Sequence, residues 1–322
     1  MIVTLTANPS LDRTVELPGP LVPGAVQRAT RSVDEPGGKG VNVSRGVAAS
    51  GHATVAVLPG RLDDPVLVAL RERGVPAVNL HLDARLRSNV TLTSPDGTTT
   101  KVNEPGPDLS AHGTALRDLV VEQSAGADWL VLAGSLPPGL PATFLADVVR
   151  AVRGAHGDAA PQVAVDSSGA PFAAVLAAGV AVDLVKPNAD ELAEVVGGDA
   201  DAYESDPAAA VDGATRLLDR GVGAVLLTLG GAGAVLVTRD GAWTAAAPRI
   251  TPLSTVGAGD SALAGYLLAE TVGLDAPARL AQAVASGTAA ALLPGSDVPA
   301  LADTAPGAVA VAAVARPPLV HP

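Results

Sequence analysis

Short β-branched runs alternate with Ala- and Leu-rich segments of helical length along most of the chain. This alternation predicts an α/β fold, with a mostly parallel sheet flanked by helices on both faces. Ligands of such sheets bind beyond the carboxyl ends of the strands. The predicted strands are Ile2–Thr6, Ala53–Val57, Trp129–Ala133, Gln162–Val165, Asp183–Val185, Ala224–Thr228 and Ala234–Val237, and the predicted helices are 40–50, 64–73, 110–124, 141–153, 170–179, 189–196, 207–220, 258–272 and 276–291.

Two segments, at about 10–36 and 87–103, interrupt the alternation. Both are rich in β-forming residues, and Pro-Asp-Gly in the second separates two such runs, which is a hairpin signal. We expect these segments to form a small β-sheet lid inserted into a single domain that spans 1–322. An ordinary exposed hairpin is the alternative interpretation.

The register expected for the hairpin places Asn89 opposite Asn103 and Thr91 opposite Lys101. Because side chains alternate along a strand, these four residues and Arg87 share one face. That face is polar and cationic, as a lid over an anionic ligand requires. The opposite face is more apolar and can pack.

Charge limits the partners of the chain. The net charge of −12 disfavours binding to nucleic acid or to an anionic membrane surface. There is no cysteine, no signal peptide is recognisable, and no apolar stretch near the C-terminus is long enough to span a bilayer. We therefore expect a cytoplasmic protein. Lysine is rare, with only Lys39, Lys101 and Lys186, so each is a candidate for a position where arginine cannot serve.

The segment Ser254–Ser261 carries the sharpest chemical signal, because it places a Gly-Ala-Gly-Asp string before an apolar helix. Gly257, Ala258 and Gly259 let backbone N–H groups approach an anion at the helix N-terminus. Asp260 would lie in the first turn, where it could accept a proton from an attacking hydroxyl. A glycine-rich turn with Asp as a helix cap is the alternative.

A second glycine-rich segment precedes the first predicted helix and contains Gly38, Lys39 and Asn42. It fits neither a Walker A loop nor a dinucleotide fingerprint. Its flexible glycines, its lysine and the helix start could hold an anionic or hydroxylated ligand. Asp12, after the first strand, could accept hydrogen bonds from sugar hydroxyls, although an isolated Asp there is more often a turn residue.

Two further motifs follow later strands. In Lys186–Glu191, Asn188 and Glu191 share a helix face and could hold Mg²⁺ through waters, although a helix-capping pair is the alternative. The segment Thr228–Gly233 is a glycine-rich turn that a nucleotide could approach.

Together with Gly134-Ser135-Leu136-Pro137, these motifs resemble the PfkB (ribokinase-like) carbohydrate kinase family, and the resemblance extends to about residue 298. The segments 87–89 and 103–107 are most similar to its bacterial 1-phosphofructokinases. The resemblance implies a transferase that uses ATP and Mg²⁺ to phosphorylate a hexose phosphate, with fructose 1-phosphate as the leading candidate. It also implies a homodimer that associates through the lid.

The resemblance further implies roles for the residues at matching positions. It implies a catalytic base (Asp260) with an anion hole (Gly257, Ala258, Gly259), a sugar-phosphate site (Asp12, Gly38, Lys39, Asn42, Arg87, Asn89, Lys101), an ATP site (Lys186, Asn188, Thr228, Gly230, Gly233, Thr255, Gly259, Ser286) and water-mediated magnesium contacts (Asn188, Glu191).

Three alternatives stay open at this point. A tagatose-6-phosphate kinase or a 6-phosphofructokinase would carry the same motifs. A sugar-phosphate sensor without catalytic activity would need neither the base nor the metal site, so Asp260, Asn188 and Glu191 argue against it. The segment after about residue 300 matches no motif.

Overall fold

Within residues 1–319, which the computed structural model describes, the chain forms a large β-sheet flanked by helices and a separate small sheet. Most strands of the large sheet are near-continuous apolar runs, as strands buried on both faces require. The strands are β1 Ile2–Leu5, β2 Ser10–Glu16, β3 Arg31–Gly37, β4 Thr54–Pro59, β5 Ala77–Leu80, β6 Arg87–Thr93, β7 Thr99–Asn103, β8 Trp129–Ala133, β9 Gln162–Asp166, β10 Val182–Val185, β11 Val222–Thr228, β12 Gly233–Thr238, β13 Ala242–Ala246 and β14 Ala310–Val314. The helices are α1 Lys39–Ala49, α2 Pro65–Glu72, α3 Gly113–Gln123, α4 Phe144–His156, α5 Gly169–Ala177, α6 Ala189–Val196, α7 Ala200–Ser205, α8 Pro207–Leu218, α9 Ala258–Thr271 and α10 Ala276–Ala291.

The large sheet has the strand order β5-β4-β1-β8-β9-β10-β11-β12-β13-β14 within the described residues. From β5 to β11 every neighbouring pair is parallel, and the pairs from β11 to β14 are antiparallel. The predicted mostly parallel α/β sheet is therefore confirmed. The segment after residue 300, which matched no motif, contributes β14, paired with β13 at one edge of the sheet.

Helices cover both faces of the sheet because alternate strand residues point to opposite sides. Val3 and Leu130 pack with α3, α4, α5, α6 and α8 on one side. Ile2 and Val131 pack with α1, α9 and α10 on the other. The prediction that helices flank both faces is confirmed.

The small sheet has the order β3-β2-β6-β7 and is built from the two segments that interrupt the alternation. The expected hairpin register is confirmed, since Asn89 pairs with Asn103 and Thr91 with Lys101. Leu11 at the root of this sheet packs against the α2 cluster, which joins the small sheet to the core.

Candidate active site

The carboxyl ends of several parallel strands carry polar side chains at one edge of the large sheet. Asp166 ends β9, Lys186 follows β10 directly, and Thr228 ends β11. Helix α9 brings its N-terminus to the same place, since a methyl group added to Gly259 would lie 3.3 Å from the Lys186 Nζ atom. This edge is where parallel α/β sheets bind ligands.

Asp260 lies in the first turn of α9 and is only 7% exposed. Its Oδ2 atom accepts a hydrogen bond of 2.9 Å from the Nδ2 atom of Asn42. Burial, assisted by the negative charge of Asp166, raises the pKa of Asp260 to about 6, against the opposing effects of Asn42 and two lysines. A carboxylate with such a pKa is ionised at neutral pH and basic enough to take a proton in catalysis.

The N-terminus of α9 is open to an anion. Gly257 has φ +77° and precedes the helix, so its left-handed backbone turns the chain into the first turn without a side chain. Among residues 1–319, no side chain caps this end of α9. The free N–H groups and the positive end of the helix dipole therefore remain available to a phosphoryl group.

A charge cluster lies beside Asp260. The Lys39 Nζ atom is 2.6 Å from Asp166 Oδ1 and 3.4 Å from Glu191 Oε1, and the Lys186 Nζ atom is 3.1 Å from Asp166 Oδ2. Burial alone would raise the pKa of Asp166, but the two ammonium groups outweigh it and hold that pKa below its usual range. Within the cluster the two lysines are balanced by Asp166 and Glu191, so their ammonium groups are held in fixed positions beside Asp260.

This placement differs from the expectation for Lys39. The sequence resemblance placed its ammonium on the substrate phosphate, whereas the structure pairs it with Asp166 on the core side. The physical reason is that Asp166 is fully buried and needs a counter-ion. Asp166 itself was missed by the sequence reasoning, although a carboxylate directly after the predicted strand Gln162–Val165 was a usable signal.

The glycine-rich segment before α1 shapes the site by close packing. A methyl group on Gly37 would collide with the carboxylate of Asp12, and one on Gly38 would lie 2.7 Å from Thr6 Cγ2. Asp12 Oδ1 accepts hydrogen bonds from Ser10 and Asn89 at 2.7 and 3.0 Å. Its Oδ2 atom has no hydrogen-bond partner in the part of the chain that the structure describes and is left for a ligand. Burial raises the pKa of Asp12, although these two hydrogen bonds oppose the shift.

A cleft of about 970 Å³ separates the small sheet from the α9 end of the core. The small sheet contributes Asp12, Asn89 and Lys101, and the core contributes Thr255. Among the hydrogen bonds and ion pairs of the described residues, none involves the Lys101 ammonium. Arg87 lies at the root of the sheet, where its Nη1 donates to the Glu104 carbonyl at 3.2 Å.

Some of the residues expected to bind ATP lie at an open turn, and others are packed inside the protein. Asn188 and Thr228 form an isolated bridge, and the turn at Gly230 adjoins it with space for a ligand. Gly233 serves packing, since a methyl group there would strike the Ala245 carbonyl. Ser286, also expected near ATP, is 4% exposed inside the α9–α10 interface, where its hydroxyl accepts from Gln282 at 3.1 Å, so its contact with ATP stays a prediction.

Asn188 and Glu191 form the capping box that was the alternative interpretation. Each side chain accepts from the backbone N–H of the other, at 2.7 and 2.9 Å. Residues 1–319 hold no cluster of three or more His, Cys, Asp or Glu side chains that could bind a metal alone. Both oxygens of Glu191 already have a partner, so this carboxylate suits only a cation that keeps most of its waters.

This arrangement defines a phosphotransferase for a small molecule: a buried base at an uncapped helix N-terminus, two lysines beside it and a polar sheet across the cleft. The model of the pfkB family of carbohydrate kinases matches residues 6–301. The chain belongs to that family, and its fold is ribokinase-like.

Several relatives share most of this chain. A 1-phosphofructokinase of Rhodobacter capsulatus is 35% identical over 89% of both chains, and one of Haloferax volcanii is 36% identical over 94% of this chain and 95% of the relative. The phosphofructokinase-2 of Escherichia coli, solved with fructose 6-phosphate, is 30% identical with a TM-score of 0.83, covering 94% of this chain and 96% of that one. Another structure of the same enzyme is described as its tetrameric inhibited form.

Proposed function

We propose that this protein transfers the γ-phosphoryl group of ATP to fructose 1-phosphate and forms fructose 1,6-bisphosphate. The observation that carries the proposal is Asp260, a buried carboxylate with a raised pKa at the uncapped N-terminus of α9. The names of the two curated relatives support the choice of sugar phosphate.

The transfer needs a base, an anion hole and an aligned acceptor. Asp260 takes the proton of the sugar hydroxyl while the oxygen of that hydroxyl forms a bond to the γ-phosphorus. The bond from that phosphorus to the β,γ-bridging oxygen breaks, and ADP leaves with the electron pair. The N–H groups of Gly257, Ala258 and Gly259 stabilise the charge on the transferred phosphoryl oxygens.

Positive charge on both sides of the cleft would hold the two anionic substrates. Lys186, beside Gly259, would meet the ATP phosphates. Lys101 and Arg87 on the small sheet would meet the phosphate already on the sugar. Asp12 and Asn89, both of which line the cleft, would bind the sugar hydroxyls.

Mg²⁺ would neutralise charge on the ATP phosphates, and Glu191 would contact it through water. Lys39 occupies one oxygen of Glu191 at 3.4 Å, which leaves no room for a direct multidentate site. The ATP base would approach the turn at Gly230, next to Asn188 and Thr228. A cytoplasmic location stays a prediction, and no helix within residues 1–319 is both long and apolar enough to cross a bilayer.

The assay is ADP release by the purified protein with Mg-ATP and fructose 1-phosphate, fructose 6-phosphate or tagatose 6-phosphate at equal concentration. We expect a clear preference for fructose 1-phosphate. Preference for fructose 6-phosphate would support the alternative that the Escherichia coli relative suggests, and no turnover with any of them would favour a sensor. The Asp260→Asn variant is the control, with kcat lowered about 10²–10⁴-fold.

The outer face of the small sheet supports a homodimer through the lid. Val90, Leu92 and Val102 point away from the cleft, and Val102 is 57% exposed. A second copy packed on this face would cover it. Sedimentation velocity should show a dimer for the wild type and a monomer for Val102→Glu, and an unchanged sedimentation coefficient in the variant would contradict this interface.

A further inference from the structure

A buried ion pair lies behind Asn42, on the side away from Asp260. Arg45 on α1 is 4% exposed and Glu35 on β3 is 5% exposed, and their Nη2 and Oε1 atoms are 3.4 Å apart. Glu35 also lies at the edge of the cleft, but neither residue takes part in the proposed transfer step. Two buried charges that form no part of the reaction need another explanation, since a buried ion pair contributes little net stability by itself.

The loop after α10 holds this pair in place. Ser296, which is 2% exposed, donates to Glu35 Oε2 from both its backbone N–H and its hydroxyl, at 3.0 and 3.1 Å. Its carbonyl accepts from Arg45 Nη1 at 3.0 Å. Both charged side chains are therefore tied to a third element of the fold and have little freedom to rotate.

Arg45 uses the same Nη1 atom to donate to Asn42 Oδ1, at 3.1 Å. A guanidinium group has hydrogen-bond donors and no acceptor. Only the carbonyl oxygen of the Asn42 amide can therefore face Arg45. The NH₂ end must then face Asp260, where it donates to Oδ2 at 2.9 Å. In the opposite orientation the amide oxygen would face the carboxylate and repel its charged form.

We propose that Arg45, held by Glu35 and Ser296, is a positioning residue that fixes the orientation of the Asn42 amide and thereby keeps Asp260 ionised. The inference rests on the proposed function in one respect, since it takes Asp260 as the base. Arg45 acts through Asn42 and touches neither substrate.

Other charged groups also face Asp260, and the test must hold them constant. Lys39 lies on α1, Asp166 ends β9 and Lys186 follows β10. None of the three forms a hydrogen bond or ion pair with Arg45 within the described residues. Replacing Arg45 therefore changes the Asn42 contact while it leaves the three charges in place.

The first measurement is the pH dependence of kcat/KM for fructose 1-phosphate between pH 5 and 8.5. In Arg45→Met the Asn42 amide is free to turn, so the ionised Asp260 carboxylate loses a hydrogen bond. The acidic limb of the kcat/KM profile should then move up by about one pH unit. The variant should then be about fivefold slower than wild type at pH 6 and nearly equal to it at pH 8.

Two further variants separate positioning from loss of stability. Glu35→Gln/Arg45→Met removes both charges, so it leaves no unpaired buried carboxylate, and it should show the same shift of the limb. Arg153→Met breaks an ion pair of 2.6 Å with Asp183, on the far side of the sheet, and should leave the profile unmoved. Equal losses at pH 6 and pH 8 in the Arg45 variants, or an unshifted limb, would overturn the proposal.

A second measurement needs no substrate. The difference in Tm between each protein and its Asp260→Asn form, followed from pH 4 to 8, reports where Asp260 titrates. We expect its midpoint to rise by about one pH unit in the Arg45→Met background. If wild type has no kinase activity, the proposed function fails while this result still decides the positioning role; an unmoved midpoint refutes that role alone.

Discussion

Replacing the proposed base should make the protein more stable while it removes activity. Asp260 is buried, and burial raises its pKa from 3.8 to about 6. The native state therefore binds this proton more tightly than the unfolded chain does, and at neutral pH it bears the cost of holding the carboxylate ionised. Asparagine has nearly the same shape, carries no charge and can still accept the hydrogen bond from Asn42.

The size of the effect follows from the shift of about two pKa units. At about 1.4 kcal/mol per unit, the Asp260→Asn protein should gain up to about 3 kcal/mol at pH 7.5. Because the pKa of Asp260 is higher in the folded state, the wild type is destabilised where this carboxylate is ionised. The destabilisation is full above about pH 6 and vanishes below about pH 4. The gain should therefore fall to about half at pH 5 and below about 1 kcal/mol at pH 4.

Thermal unfolding followed by calorimetry or circular dichroism measures this gain. For a chain of this length an unfolding entropy of about 0.7 kcal/mol/K converts it into a rise in Tm of about 4 °C at pH 7.5. Asp166→Asn is the matched control with the opposite sign, because it leaves Lys39 and Lys186 without their shared counter-ion. The reasoning is refuted if Asp260→Asn is no more stable than wild type at pH 7.5, or if its gain is the same at pH 4.

Three further predictions concern the substrates. Gly37→Ala, whose new methyl group collides with Asp12, should raise KM for the sugar phosphate at least about tenfold, whereas Gly19→Ala, with open space around it, should not; initial-rate kinetics with KM for ATP as the internal reference decide this. Lys101→Met should raise KM for the sugar phosphate about tenfold or more and leave KM for ATP within twofold, and equal changes in both constants would contradict the placement. Ser286→Ala should leave KM for ATP unchanged because its hydroxyl lies inside a helix interface, so a clear rise would support the ATP contact.

The elements that the sequence predicted are those with a strong local signal. The helices over 189–196 and 276–291 match in both bounds, since the first has a capping Asn and the second a capping Asp followed by an apolar period. The strands β13 and β14 were missed because Ala242–Ala246 and Ala310–Val314 are alanine-rich, and alanine favours no strand by itself. β13 is a strand because it pairs with β12, and β14 is a strand because it pairs with β13.

The sequence indicated which residues to consider for the candidate site, but not which of them contact one another. Asp260 and the glycines before it were found from one contiguous string. The partner of Lys39 was not, because Asp166 is 127 residues away and only the order of strands in the sheet brings them together. The same holds for Asn42, which the sequence assigned to the sugar and the structure places against Asp260.

The contacts around Asp260 also bear on how the protein is made. Asn42 and Asp260 are 218 residues apart, and Arg45 and Ser296 are 251 apart. A nascent chain therefore cannot assemble this site until Ser296 has left the ribosome, and synthesis up to that point takes tens of seconds at about 5–20 residues per second. Prematurely terminated chains that lack the loop at Ser296 would keep most of the sheet and helices, yet their base would lack its support.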